Sequence, residues 1–174
     1  MIGCHATFRR LDPADASALI ALRLEVAAVN ESAMGASLAE EQARSIQSFK
    51  DQLAREGPSA LFGGFVDSQL VAVAGIHRSS SLPSSAHKAA LWGVVVSPTR
   101  WRKGLGRVVV EMAIAHSSLV GVRRVNLTVY LPNEPAVRLY ESMGFRTYGT
   151  EPQALCIDGH FYDAQLMSKE CKGG

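Results

Sequence analysis

At 174 residues, with 47% apolar and 20% charged side chains, the chain has the make-up of one soluble globular domain, residues 1–174, able to bury a substantial core. A formal net charge of +2 is too small for the dense basic face of a nucleic-acid binder, and no apolar run approaches the roughly 20 residues that span a bilayer. The three cysteines, Cys4, Cys156 and Cys171, are odd in number and far apart, a pattern of reduced thiols that matches neither a disulfide framework nor a metal-ligand set. The first ten residues lack the apolar centre of a secretory signal. The expectation is a cytoplasmic protein with no metal, membrane or nucleic-acid partner.

Residues 6–10 read as a short strand. Asp12 followed by Pro13 has the pattern of a helix start, with proline at the first helical position. Leu19, Leu22, Val26 and Val29 then recur at helical spacing. Ser37 and Glu40 have the spacing of a capping box, and the second helix is expected to run from there to about residue 55, stopped by Gly57-Pro58. Residues 61–66 and 70–77 predict two antiparallel strands joined by Asp67-Ser68-Gln69. Residues 89–96 form a nearly continuous apolar run, as in a strand covered on both faces.

A helix from about residue 104 would bury Leu105, Val108, Val109, Met112 and Ala113, and residues 125–129 form a further strand. A helix over 133–143 ends at Gly144, suited to a left-handed C-terminal position. Residues 146–150 and 160–167 are the last strands, with Asp158-Gly159 turning into the final one. The order predicts a mixed α/β domain around one central sheet.

The turn after the apolar strand is rich in chemistry. Trp101, Arg102, Lys103, Gly104, Leu105, Gly106 and Arg107 lead into a helix, whose N-terminal N–H groups are unpaired and whose dipole favours anions. Gly104 and Gly106 lack the Cβ that would block close backbone approach, and Arg102, Lys103 and Arg107 supply charge for phosphates. A solvated basic cap is the plainer reading of the same residues. A dinucleotide fingerprint fits poorly, because Val109 stands where its third glycine belongs, and the Lys-Ser/Thr of a P-loop is absent.

The stretch Val94-Val95-Val96-Ser97-Pro98-Thr99-Arg100-Trp101-Arg102-Lys103-Gly104-Leu105-Gly106 resembles motif A of the GCN5-related N-acetyltransferases, the GNAT family. Asn133, Ala136, Tyr140, Gly144 and Phe145 resemble its motif B. One departure stands out: the family's Arg or Gln in motif A is Trp101 here, flanked by Arg100 and Arg102. The resemblance covers nearly the whole chain. It implies the GNAT acyl-CoA N-acyltransferase fold, a central mixed, twisted β-sheet flanked by about four helices. It also admits a homodimer, although no residues mark an interface.

The resemblance further implies transfer of an acetyl group from acetyl-CoA, a co-substrate, to a primary amine. The strand over 89–96 would splay from that over 125–129 and admit CoA. Main-chain groups of Val94, Val95 and Val96 would bind the pantetheine arm, and the turn from Trp101 to Arg107 the phosphates. Asn133, Ala136 and Tyr140 complete the CoA site, with the Tyr140 hydroxyl protonating the departing thiolate. Asn133 would also serve as an ordinary helix cap, and Tyr140 as a core aromatic. Many relatives carry a Glu on the motif-A strand to deprotonate the amine; residues 89–96 contain none. His87 is the first candidate base, ahead of Glu25 and Glu31, and it also reads as a strand-end histidine. The missing Glu motivates an alternative, a non-catalytic acyl-CoA-binding sensor module. Residues 28–37, with Asn30, Glu31 and Ser32, are expected to shape the acceptor pocket.

Overall fold

In the computed structural model, which describes residues 6–171, the strands are β1 (Ala6–Arg10), β2 (Ala60–Val66), β3 (Gln69–Arg78), β4 (Lys88–Val96), β5 (Arg124–Tyr130), β6 (Arg146–Ile157) and β7 (His160–Glu170). The helices are α1 (Ala16–Ala27), α2 (Glu31–Met34), α3 (Leu38–Ala43), α4 (Ile46–Leu53), α5 (Leu105–Leu119) and α6 (Glu134–Ser142). The strands make one sheet in the order β1-β2-β3-β4-β5-β7-β6. All pairings are antiparallel except that of β4 with β5. Among the described residues no helix is long and apolar enough to cross a membrane. Cys156 is exposed and Cys171 buried, both as free thiols; Cys4 lies outside the described residues.

Local chemistry sets most element ends. Asp12 accepts from the Ala14 N–H and exchanges a capping box with Asp15, and a short 3-10 turn then leads into α1. The Ser37–Glu40 capping box starts α3. The single helix expected over 37–55 is instead two. Arg44 is extended at φ −72° and ψ 131°, and Ser45 starts α4 by accepting from the Ser48 N–H, the local competition with helix that serine side chains offer. Residues 31–34, expected as loop, form the single turn α2, capped by Asn30.

The sheet is covered on both faces. Helices α5 and α6 pack on one, over Phe62, Ala74, Leu91, Val125 and Met167. Helices α1 and α4 pack on the other, over Leu61, Phe65, Val73 and Val95. Leu105, Val109 and Ala113 of α5 are buried as expected, but Val108 and Met112 are half-buried. Val110 and Ser117 are buried in their stead, because α5 leans towards β3 and β2. The Ser117 hydroxyl donates to the Ala113 carbonyl at 2.9 Å, which satisfies it inside the helix.

Strand β4 departs from the expected two-sided burial. Ala89, Leu91 and Val95 are buried, whereas Trp92, Gly93 and Val94 are half-buried. Val73 pairs with Val95 and Gly75 with Trp92, so β4 holds one residue more than β3 over this stretch. The extra residue falls where Gly93 adopts φ +59°, a β-bulge in a conformation that glycine reaches without Cβ strain.

The β2–β3 turn has positive φ at both central residues, Asp67 (50°) and Ser68 (65°), as a type I′ hairpin requires. Serine is strained in that region and glycine is not. Ser68→Gly is therefore expected to raise the unfolding free energy by about 0.5–1 kcal/mol in denaturant titration; a lower midpoint would contradict the strain.

Candidate active site

Strands β4 and β5 pair only through Lys88–Arg124, Ala89–Val125 and Ala90–Asn126. Beyond that point each keeps its outer neighbour, β3 and β7 respectively, while their facing edges separate. The gap holds a cavity of about 410 Å³, walled by Trp92, Gly93, Val94 and Val95 from β4 and by Leu127 to Tyr130 from β5. Separated edges present unpaired N–H and C=O groups, a template for an extended ligand to join as a strand. Val94 and Val95 line this cavity; Val96 does not, and its carbonyl accepts from the Trp101 indole at 2.8 Å.

The basic turn follows directly. Trp101, Arg102, Lys103 and Gly104 are exposed. Arg102 and Gly104 have φ of +63° and +77°, and Gly104 occupies the N-cap of α5 without a side-chain cap. The first-turn N–H groups thus have no partner in the helix. Leu105 is buried in the core, so only its main chain faces the turn. Gly106 lies close to both neighbours: an added Cβ would stand 3.2 Å from Val96 Cγ2 and 4.0 Å from Leu139 Cδ2. The Arg107 guanidinium donates to Ser142 Oγ at 2.5 Å, tying α5 to α6.

Helix α6 contributes Asn133, Ala136 and Tyr140 to the cavity wall. Asn133 also caps the helix, its Oδ1 accepting from the Ala136 N–H at 3.3 Å, so both readings of that residue hold together. Tyr140 is 7% exposed and stands edge-on to Phe145 at 5.7 Å between ring centroids. Burial pushes its phenol well above the usual tyrosine range. The hydroxyl stays protonated near neutral pH.

His87 is not brought to this cavity. It is exposed at the paired end of β4, where its carbonyl accepts from the N–H groups of Arg123 and Arg124. It lies three positions before Ala90, where the lining begins, and seven before Val94, about 23 Å at strand rise. Glu25 and Glu31 are also absent from the lining. Glu25 accepts from Ser97 Oγ at 2.7 Å, and Glu31 from the Leu38 N–H at 2.5 Å.

The cavity recruits residues that sequence reasoning missed. Arg23 and Arg44 reach it from the α1 face, with Tyr130 and Tyr148 beside them; of the segment 28–37 expected at the pocket, Ala33, Met34 and Gly35 line it, whereas Asn30, Glu31 and Ser32 do not. Gly35, at φ +70°, lies on the Tyr130 ring, where an added Cβ would come within 2.4 Å of the ring. Arg23 is 6% exposed, and its Nε and Nη2 donate to both oxygens of Glu41 at 2.8 and 2.6 Å. Arg44 joins Glu41 at 3.4 Å and covers the Phe49 ring. Burial opposes the Glu41 charge, but the hydrogen bonds and field of Arg23, helped by Arg44, outweigh it and hold the carboxyl below its ordinary value. The signal for Arg23 was in the sequence: it falls on the helical stripe of Leu19, Leu22 and Val26, where a charge needs a buried partner.

Comparison with known proteins agrees with this geometry. Residues 25–145 match the Acetyltransferase (GNAT) family. An N-acetyltransferase of Bacillus subtilis, YoaA, is 28% identical over 101 residues, covering 58% of this chain and 55% of that protein. The chain thus spans about half the length of that curated relative. A GNAT-family acetyltransferase structure from Streptococcus pneumoniae is 26% identical, with a TM-score of 0.84 over 95% of this chain and 99% of that one. The fold is shared with yncA of Salmonella typhimurium, solved with acetyl-CoA, at 18% identity and a TM-score of 0.81 over 98% and 96% of the two chains.

Deleting one partner of the Arg23–Glu41 pair leaves the other charge buried alone, a loss of about 3–5 kcal/mol. Glu41→Ala is expected to lower the unfolding free energy by about that amount; a loss under ~1 kcal/mol would show the pair to be inert. Because the folded carboxyl takes its proton at lower pH than the unfolded one, the unfolded chain binds more protons in between, and stability falls with acid. That contribution is full above the ordinary value of 4.5 and is lost below it, so the stability–pH curve of Glu41→Gln should be flatter there than that of the wild type.

Proposed function

Because the chain belongs to the Acetyltransferase (GNAT) family, we propose that it transfers an acetyl group directly from acetyl-CoA to a primary amine, Tyr140 protonating the CoA thiolate. The observation that supports this most is the cavity between the parted edges of β4 and β5, with Tyr140 in its wall. The proposal takes residues 1–174 as one acetyltransferase domain acting in the cytoplasm.

The main chain of β4 near Val94 and Val95 holds the pantetheine arm as a neighbouring strand would. A β4 N–H polarises the thioester carbonyl and stabilises the negative charge that develops on its oxygen. The N–H groups at the start of α5 receive the pyrophosphate, with Arg102 and Lys103 adding positive charge in solvent. Trp101 has its indole committed to the Val96 carbonyl, so it shapes the turn while the backbone and its basic neighbours meet the phosphates. Gly106 keeps α5 against β4, and Asn133 holds the start of α6 so that Tyr140 faces the thioester.

The neutral amine attacks the carbonyl carbon, the C–S bond breaks, and the phenol gives its proton to sulfur. The new amide nitrogen loses its extra proton to solvent, and solvent reprotonates Tyr140. A phenol with a raised proton affinity is a poor base and remains loaded as the acid. No acidic side chain lines the cavity among the described residues, and the positive field of Arg23 and Arg44 favours the neutral form of a nearby amine.

Tyr140→Phe tests the acid role. It is expected to keep acetyl-CoA affinity within about twofold, measured by calorimetry, while lowering kcat by about 10²–10⁴-fold. Unchanged kcat with a good acceptor would remove Tyr140 from proton transfer. Gly106→Val would push into Val96 and should weaken acetyl-CoA binding with little change in kcat at saturation.

A further inference from the structure

We propose that the amine acceptor carries a carboxylate, recognised by Arg23 and Arg44 on the α1 side of the cleft; this rests on the acetyl-transfer reading above and names the acceptor's chemical class. Arg23 and Arg44 are the only charged side chains lining the cavity among the described residues. Both share one carboxylate, that of Glu41. Glu41 is itself 3% exposed and outside the lining. The pair of guanidinium groups therefore leaves one positive charge uncompensated at the cavity wall.

Arg23 shows where that charge is offered. Two of its nitrogens are bound to Glu41, which fixes the plane of the guanidinium. Among the described residues no group accepts from its Nη1. That nitrogen lies beside the Gly93 bulge, 3.3 Å from where a Cβ there would stand. Nη1 is open to the cavity, where an anion can reach it. The planar fork of the guanidinium suits a carboxylate. Arg44, exposed and stacked on Phe49, adds a second donor from the adjoining helix end.

Those arginines are separated from the CoA phosphates by the sheet. Arg23 belongs to α1, whose apolar partners lie on one face, whereas the basic turn leads into α5 on the other. The anion they await is thus part of the acceptor. The same charge opposes polycationic acceptors, and a protein N-terminus, whose α-carboxyl is tied up in a peptide bond, offers it no α-carboxylate. A free amino acid, or an amine of that kind, fits both the charge and the separation of amine from anion.

The test pairs L-amino acids with their amides, spermidine being the polycation, in a CoA-release assay, alongside calorimetric binding of each compound and of acetyl-CoA. Acids should exceed their amides by at least about tenfold in kcat/KM, and spermidine should be the poorest. Arg44→Gln should raise KM for the acids, bring acid and amide together and leave acetyl-CoA affinity unchanged, while Arg44→Lys retains part of the preference. Amides or spermidine turned over as well as acids would overturn the proposal, as would an unaltered preference in Arg44→Gln. Equal calorimetric binding of acids and amides overturns it independently of turnover. Failure of acetyl-CoA to bind, with acids still preferred over amides in calorimetry, would instead overturn the acetyl-transfer reading and leave the carboxylate site standing.

Discussion

Hydrogen bonding between β4 and β5 stops at the Ala90–Asn126 pair, and the two strands run on without each other. A sheet normally closes such an opening, because an unpaired edge leaves main-chain groups without partners. Here each strand is anchored on its other side, β4 by β3 and β5 by β7. The bulge at Gly93 turns β4 within its pairing to β3, so the edge facing the gap belongs to a strand that is otherwise fully held. The site thus takes its binding groups from the rigid centre of the sheet. The helices add only what a sheet lacks: the cap of α5, the phenol of α6 and the guanidinium groups of the α1 side.

The two faces divide the chemistry. On one, α5 and α6 meet through Arg107 and Ser142, so the helix that follows the basic turn and the helix that carries Tyr140 are fastened together. Burial keeps the phenol protonated. On the other, α1 brings a buried Arg23 that only Glu41 makes tolerable. The opposite signs of the two shifts share one logic: Tyr140 has no charged partner to offset desolvation, whereas Glu41 has two.

Legibility followed the range of the interaction. The Asp12 cap, the Ser37 capping box, the Asn133 cap and the Gly144 stop depend on residues within one helical turn, and the structure forms each where the sequence pointed. Gly104 was legible for the same reason, since its left-handed conformation is a local backbone requirement. The break at Arg44 was not, because the competing cap, Ser45, is an unremarkable residue until Phe49 and Glu41 draw Arg44 away from the helix. The Arg23–Glu41 pair spans 18 residues and two helices, so periodicity reveals at most that Arg23 faces inward. His87 adjoins the right strand in sequence, but a strand converts each residue into about 3.3 Å, and adjacency along it is distance from the cavity.

The segment from Asn30 to Leu38 is held mainly by itself: Asn30 caps α2, Glu31 accepts from the Leu38 N–H, and Ser37 and Glu40 cap each other. Its ties to the body of the protein include Met34 on the α1 core and Gly35 resting on Tyr130. A wall so built can vary in part without disturbing the core: an exchange at Ala33 alters the cavity's shape while the short-range bonds persist, whereas Met34 both lines the cavity and packs on the α1 core. Gly35 is the fixed point of that variation. Lineages whose cavity changes are expected to diverge around it and to retain the glycine for as long as they retain the tyrosine beneath.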